Sequence, residues 1–262
     1  MTDMSYGQYL GLDRLLAAQA PRSGNHDEML FIVIHQASEL WMKLCLHELR
    51  AARDLIAADD LSPAFKMLAR VARIQVQLIQ SWEVLSTMTP HDYSTIRPFL
   101  GSSSGFQSWQ YRLIEFLMSA KDARHLAIHK ADPEAHAALS AAIDEPSLYD
   151  ETLRLLSRRG FAIPAELLAR DIREPHTASP EVEAAWAAIY ADPRAHWDLY
   201  ELAEKLVDLD YRLQQWRFAH LKTVERIIGF KRGTGGTAGV PYLESVLKRP
   251  FFPELLTVRT AL

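Results

Sequence analysis

Cysteine occurs once in the 262 residues, at Cys45, so the chain holds no internal disulfide. A lone thiol fits a reducing compartment, and a soluble, cytoplasmic protein is expected. Charge of one sign is also scarce. The net charge is −4 and the sequence pI about 6.2, without the basic stripe that nucleic-acid binding requires. No basic segment leads into an apolar run at the N-terminus, so no signal peptide is read there. The densest apolar run, Met29 to Ile34, is broken by His35, Gln36 and Glu39 and falls far short of a membrane span. Strand-type alternation and internal repeats are both missing.

Apolar residues are plentiful, at 48%, which excludes a disordered chain. Their spacing is helical almost throughout. Phe31, Ile34, Trp41, Cys45, Leu49 and Ile56 predict one long helix from His26 to about Ala58. Apolar residues also fall between them, so that helix is expected to be mostly buried. Ser62-Pro63 reads as the start of a second helix, with Leu68, Val71, Ile74, Leu78 and Trp82 along one stripe. Thr89-Pro90 repeats the start signal, and Pro98 is expected to bend or end that short helix. Gly101 to Gly105 is a loop by composition, and a helix resumes near Phe106. Shorter helices are expected around Ser147–Arg159, Pro164–Arg170 and from Ser179-Pro180. A second long helix runs from Pro193 to Ile228, stopped by Gly229, and a last short one from Pro241 to Lys248. The whole reads as a single all-α domain over residues 1–262, with residues 121–180 as a small helical insertion.

Ten histidines are too many for each to be special. His125, His129, His136 and His176 sit among charged or loop residues and are expected at the surface. His35 and His220 differ, each lying inside an apolar helical stretch. Either one alone is better explained by a hydrogen-bonded core histidine than by an axial haem ligand. Other metal patterns fail. His47-Glu48 begins a zincin motif, but Ala51 stands where its second histidine belongs. No Glu-x-x-His pair offers ligands for a di-iron bundle. Tyr93 and Arg97 share a helix face and could hold a carboxylate, or could simply face solvent. The segment Lys231-Arg-Gly-Thr-Gly-Gly-Thr-Ala-Gly239 is neither a Walker loop nor a dinucleotide fingerprint. Its glycine density suits a loop that closes on a ligand, with Thr234 as its hydroxyl.

In order along the chain, these pieces resemble one family. The runs are Ser5-Tyr-Gly-Gln-Tyr-Leu, His26-Asp-Glu-Met-Leu-Phe-Ile-Val-Ile-His-Gln and Glu39-Leu-Trp-Met-Lys. Thr87-Met-Thr-Pro-His-Asp-Tyr, Ser103-Ser-Gly-Phe-Gln-Ser and His220-Leu-Lys-Thr-Val follow. Ile228-Gly-Phe-Lys-Arg-Gly-Thr-Gly-Gly and Phe251-Phe-Pro-Glu-Leu complete the series. Together they resemble the haem-dependent tryptophan 2,3-dioxygenases over nearly the whole chain, least so in the middle insertion.

The resemblance implies two long helices around a haem pocket, with one noncovalent haem b (iron protoporphyrin IX) per subunit. It implies a homotetramer that acts on L-tryptophan and O2 and yields N-formylkynurenine, the first step of the kynurenine pathway. His220 would be the axial iron ligand, with Ser104 and Trp82 against the haem. His35 would accept the indole N–H, and Phe31 would wall the indole pocket. Arg97, with Tyr93 beside it, would grip the carboxylate, and Thr234 would take the amino-acid head. Tyr6, Tyr9 and Leu10 resemble an arm that reaches into a neighbouring subunit's site. Thr237-Ala238 departs from the two serines frequent at those positions. A dioxygenase for a different indole and a non-enzymatic helical scaffold are the rival readings, and Arg97 argues against the first.

Overall fold

Local sequence signals set most helix starts. The computed structural model describes residues 3–236 and 238–262, so Thr237 lies outside the described residues. Thr89 accepts from the Asp92 N–H while Asp92 caps Thr89 in return, which starts a helix at Pro90. Ser147 and Asp150 repeat the device, and Ser179 caps the helix opened by Pro180. The elements are α1 (Tyr6–Leu10), α2 (Leu12–Leu15), α3 (Glu28–Ala57), α4 (Leu61–Leu85), α5 (Pro90–Leu100), α6 (Trp109–Leu117) and α7 (Arg124–Ile128). They continue with α8 (Pro133–Ile143), α9 (Leu148–Arg158), α10 (Ala165–Leu168), α11 (Pro180–Ala191), α12 (Trp197–Ile227), α13 (Val240–Leu247) and α14 (Pro253–Thr257). No strand occurs among the described residues.

Three boundaries differ from the sequence reading. α4 begins at Leu61, so Pro63 sits inside its first turn, where a missing N–H has no helical acceptor to lose. α5 continues through Pro98 to Leu100. Only two residues follow the proline and it faces solvent, so the freed carbonyl meets water. α12 begins at Trp197 because Asp192 ties residues 193–196 into a turn, its carboxylate accepting from the Ala195 N–H at 3.1 Å. Gly229 does stop α12, with φ at 66° and its N–H on the Val224 carbonyl.

α3 packs along α4, and α4 along α12. Leu49, Ile56, Leu68, Val71, Leu202 and Leu206 are fully buried between them. Leu139, Ile143, Leu148 and Leu155 from the middle of the chain join the same core. The buried residues of α3 fall mainly in its second half. Met29, Val33 and Leu40 before its midpoint and Leu44 just after it are exposed, contrary to the expected burial. α3 is also the one described helix long and apolar enough to cross a membrane by length and composition. Two histidines expected at the surface are inside. His129 is buried, and the His176 ring contacts Glu254 at 2.6 Å, both side chains essentially inaccessible. Glu254 also accepts from Tyr149 Oη at 2.9 Å and from the Ser179 N–H, joining α9, α11 and α14.

Leu68→Ala would open a cavity where three long helices meet. The expected loss is about 2–5 kcal/mol of unfolding free energy. A lowered urea midpoint at unchanged slope measures it.

Candidate functional site

A cavity of about 230 Å³ opens between the first half of α3, the end of α4, α5, α6 and the second half of α12. Phe31 and His35 lie one turn apart on α3, so both face it. Trp82 comes from α4, Tyr93 from α5 and His220 from α12. Ser104 and Thr234 reach it from two loops. Residues far apart in the chain thus meet on one largely apolar surface.

His35 is held by its own helix. Its Nδ1 lies 2.7 Å from the Phe31 carbonyl oxygen, which only accepts, so Nδ1 carries the proton and Nε2 carries a lone pair. The Phe31 ring packs against the imidazole, with centroids 4.3 Å apart. Burial lowers the His35 pKa, outweighing the Phe31 carbonyl and the charge of Glu39, so the ring is neutral. Burial raises the Tyr93 phenol, against the pull of Arg97. Tyr93 therefore stays a neutral wall residue.

His220 is fixed differently. Its ring stacks on Trp82 at 4.5 Å, only 11° from parallel, and Trp216 packs beside both. Neither ring nitrogen has a hydrogen-bond partner among the described residues. Burial, then the nearby His35 and Arg112, push its pKa down to about 4. A neutral imidazole with a free lone pair in an apolar wall is a metal donor awaiting an acceptor. Among the described residues no group of three histidine, cysteine or carboxylate side chains could hold a bare ion. A metal here would have to bring its own equatorial ligands, as iron in a porphyrin does. The donor set therefore fits a haem and does not fit a free ion.

Arg97 and Thr234 stand near the two loops. Arg97 does not itself line the cavity. Its Nη2 donates to the Arg232 carbonyl at 2.8 Å, and its Nη1 is buried without a partner. Thr234 donates its hydroxyl to the Ser103 carbonyl at 2.6 Å, which leaves the oxygen free to accept. The two contacts tie the glycine loop down on α5 and on the 101–105 loop. Gly235 is required there, since a Cβ would fall 2.8 Å from Ser104 Cβ. Tyr6, Tyr9 and Leu10 are elsewhere: they are exposed and touch no part of the cavity.

Sequence reading missed one feature of the wall. Arg112 and Glu115 on α6 and Arg217 on α12 line it as a buried charged cluster. Arg112 and Glu115 stand three apart, a spacing open to reading, but Arg217 lies far along the chain and no local pattern links it.

A sequence profile described as tryptophan 2,3-dioxygenase matches residues 1–262. A protein of Erythrobacter litoralis named tryptophan 2,3-dioxygenase is 70% identical over 260 residues, covering 99% of both chains. One from Ralstonia nicotianae, tryptophan 2,3-dioxygenase 1, is 60% identical over 259 residues, with 99% of this chain and 88% of that one covered. A third, tryptophan 2,3-dioxygenase of Cupriavidus necator, is 59% identical over 260 residues with coverage of 99% and 88%.

The pH response of the site has a definite sign. Unfolded His220 takes its proton at about 6.5, whereas the folded ring resists until about 4, and His35 is shifted the same way. Stability from these neutral rings is fully present above pH 6.5 and drains away as pH falls from there toward 4. Urea midpoints of the haem-free chain measured across that window should drop more steeply than those of a His35→Leu, His220→Leu double variant.

Proposed function

The chain belongs to the tryptophan 2,3-dioxygenase family, and from that premise we propose how its own residues carry the reaction. It inserts both atoms of O2 across the indole C2–C3 bond of L-tryptophan, giving N-formylkynurenine, the first step of the kynurenine route. Both oxygen atoms remain in the product, so the overall equation needs no external reductant.

We infer one noncovalent haem b per chain, whose iron His220 would hold, with Trp82 and Ser104 lining the site of the group. The single observation that carries this is the neutral, unpartnered His220 ring, oriented by its stack on Trp82. Haem, when bound, supplies oxygen activation, and the protein supplies orientation. The single cysteine, which is buried, agrees with noncovalent binding and with a cytoplasmic location.

The indole then lies against Phe31, and Tyr93 packs beside Phe31 on the same wall. His35 accepts its N–H at Nε2, the nitrogen left unprotonated by the bond from Nδ1 to the Phe31 carbonyl. An indole N–H is a very weak acid, so this bond positions the ring rather than removing its proton. Arg97 takes the carboxylate with its unpartnered Nη1, and Thr234 accepts from the ammonium. Fixing both ends of the substrate turns a bimolecular encounter into a local one.

We further read the chain as one domain that assembles into a homotetramer. Tyr6 and Tyr9 are each 77% exposed and serve no site in their own chain, which supports an arm into a neighbour's pocket. Met29, Val33, Leu40 and Leu44 form one exposed apolar stripe on α3, a surface that a second copy would cover.

His220→Ala should lose or badly disturb the Soret band of the purified protein. A normal haem spectrum in that variant would remove His220 as the ligand. Arg97→Ala should keep the spectrum and lower kcat/KM for L-tryptophan by about 100-fold. Undiminished turnover would remove the carboxylate role.

A further inference from the structure

One charged cluster on the cavity wall takes no part in holding the indole or the amino-acid head. Arg112 Nη1 donates to Glu115 Oε2 at 2.6 Å, and Arg217 Nη2 donates to Glu115 Oε1 at 2.8 Å. The three side chains are between 4% and 8% exposed. Burial pushes Glu115 up, but the two guanidinium groups outweigh it and hold the carboxyl below its ordinary range. Among the described residues, no other carboxylate pairs with either arginine. Asp210, the next acid toward Arg217, is occupied by Gln214 and by the Phe251 N–H. Two buried cations therefore share one anion.

The two arginines are not equivalent. Arg217 is spent: its Nε reaches Tyr111 Oη, and its Nη1 reaches the carbonyls of Val246 and Arg249. Arg112 is not. Its Nε is buried without an acceptor, while the guanidinium lies 4.7 Å over the Phe106 ring. A buried guanidinium with an empty donor is costly unless an anion arrives. The surroundings do not supply one. His125 and His129 are kept below the usual histidine range, first by burial and then by the charge of Arg112. His125 Nδ1 and His129 Nε2 are themselves unpartnered.

The location separates this donor from the substrate clamp. The charge of Arg97 is felt at Tyr93, on the indole wall. That of Arg112 is felt at His220, on the wall that would carry the iron. Resting on the haem reading above, we propose that Arg112 is an anchor for one haem propionate, its unfilled Nε–H facing the carboxylate and Glu115 and Arg217 bracing it from behind.

Haem and haem dimethyl ester, which lacks both negative charges, separate this role from a structural one. The full-length chain is stripped and rebuilt with each form, and affinity is read by Soret titration. Arg112→Met leaves Glu115 paired with Arg217, so no buried carboxylate is orphaned. The variant should bind haem about 10- to 100-fold more weakly than the unchanged chain. It should bind the ester as well as the unchanged chain does, and Arg112→Lys should fall between. Equal haem affinity in Arg112→Met overturns the assignment, and so does an equal loss of haem and ester. If Arg112→Met does not fold, the unchanged chain still decides: equal affinity for haem and ester overturns the anchor, and a preference for haem that Arg112→Lys reduces supports it. An unchanged chain that takes up neither form would sink the haem reading itself, a result distinct from these.

Discussion

His35 gives its Nδ1 proton to the carbonyl of Phe31, one turn back on the same helix, and the chemistry of the cavity follows from that bond. It settles which nitrogen has a lone pair, and it needs nothing beyond α3. An imidazole held this way cannot swing to another partner without breaking a buried bond. Burial then keeps the ring uncharged, since a proton taken inside an apolar cavity would lack hydration. The opposite imidazole is treated in a complementary way. His220 makes no such bond, and its plane is set by the flat face of Trp82. One ring is thereby held by a bond within its own helix, and the other by an aromatic face alone.

The remaining polarity of the cavity sits at its edges and is kept apart. Arg97 and Thr234 belong to the loop edge, where backbone carbonyls of residues 232 and 103 engage them. Arg112, Glu115 and Arg217 belong to the α6–α12 wall. Between the two lie Phe31, Trp82, Tyr93 and Trp216, which offer area and no ionised group. A zwitterionic amino acid and a dicarboxylate macrocycle place negative charge at different points. On the proposals made above, a cavity serving both would need two cationic positions that do not compete, and Arg97 on α5 and Arg112 on α6 stand on separate helices.

Sequence pattern was a good guide wherever the deciding interaction was local. The Thr89–Asp92 and Ser147–Asp150 caps and the glycine stop at 229 are each contained within a few residues, and the helices obey them. Pro98 failed as a breaker because its cost depends on how much helix follows, which a dipeptide does not reveal. α8 was not foreseen as an individual element, because its alanine-rich face carries a faint apolar pattern. His176 looked superficial because its partner, Glu254, lies far along the chain. The Arg112–Glu115–Arg217 cluster was invisible for the same reason. The gathering of Phe31, His35, Tyr93, Thr234 and His220 was legible only as ordered motifs resembling a family, since spacing alone left each histidine open. Thr237, a noted departure, lies outside the described residues.

The loop edge has a further consequence for how the cavity opens. The same guanidinium that would hold the substrate carboxylate already donates to the Arg232 carbonyl, just ahead of the glycine run. Thr234 likewise donates to the Ser103 carbonyl with the hydroxyl proposed to take the head group. The clamp and the loop closure therefore share their atoms. On the roles proposed above, moving the loop outward would break both bonds and withdraw Thr234 from the head group, while seating it would restore them. Gly235 makes this seating close, because any larger residue would strike Ser104. Loop position and carboxylate affinity are in that sense a single degree of freedom. On the roles proposed above, the helices would carry the indole site, His220 and Arg97, and the loop would complete the amino-acid end with Thr234.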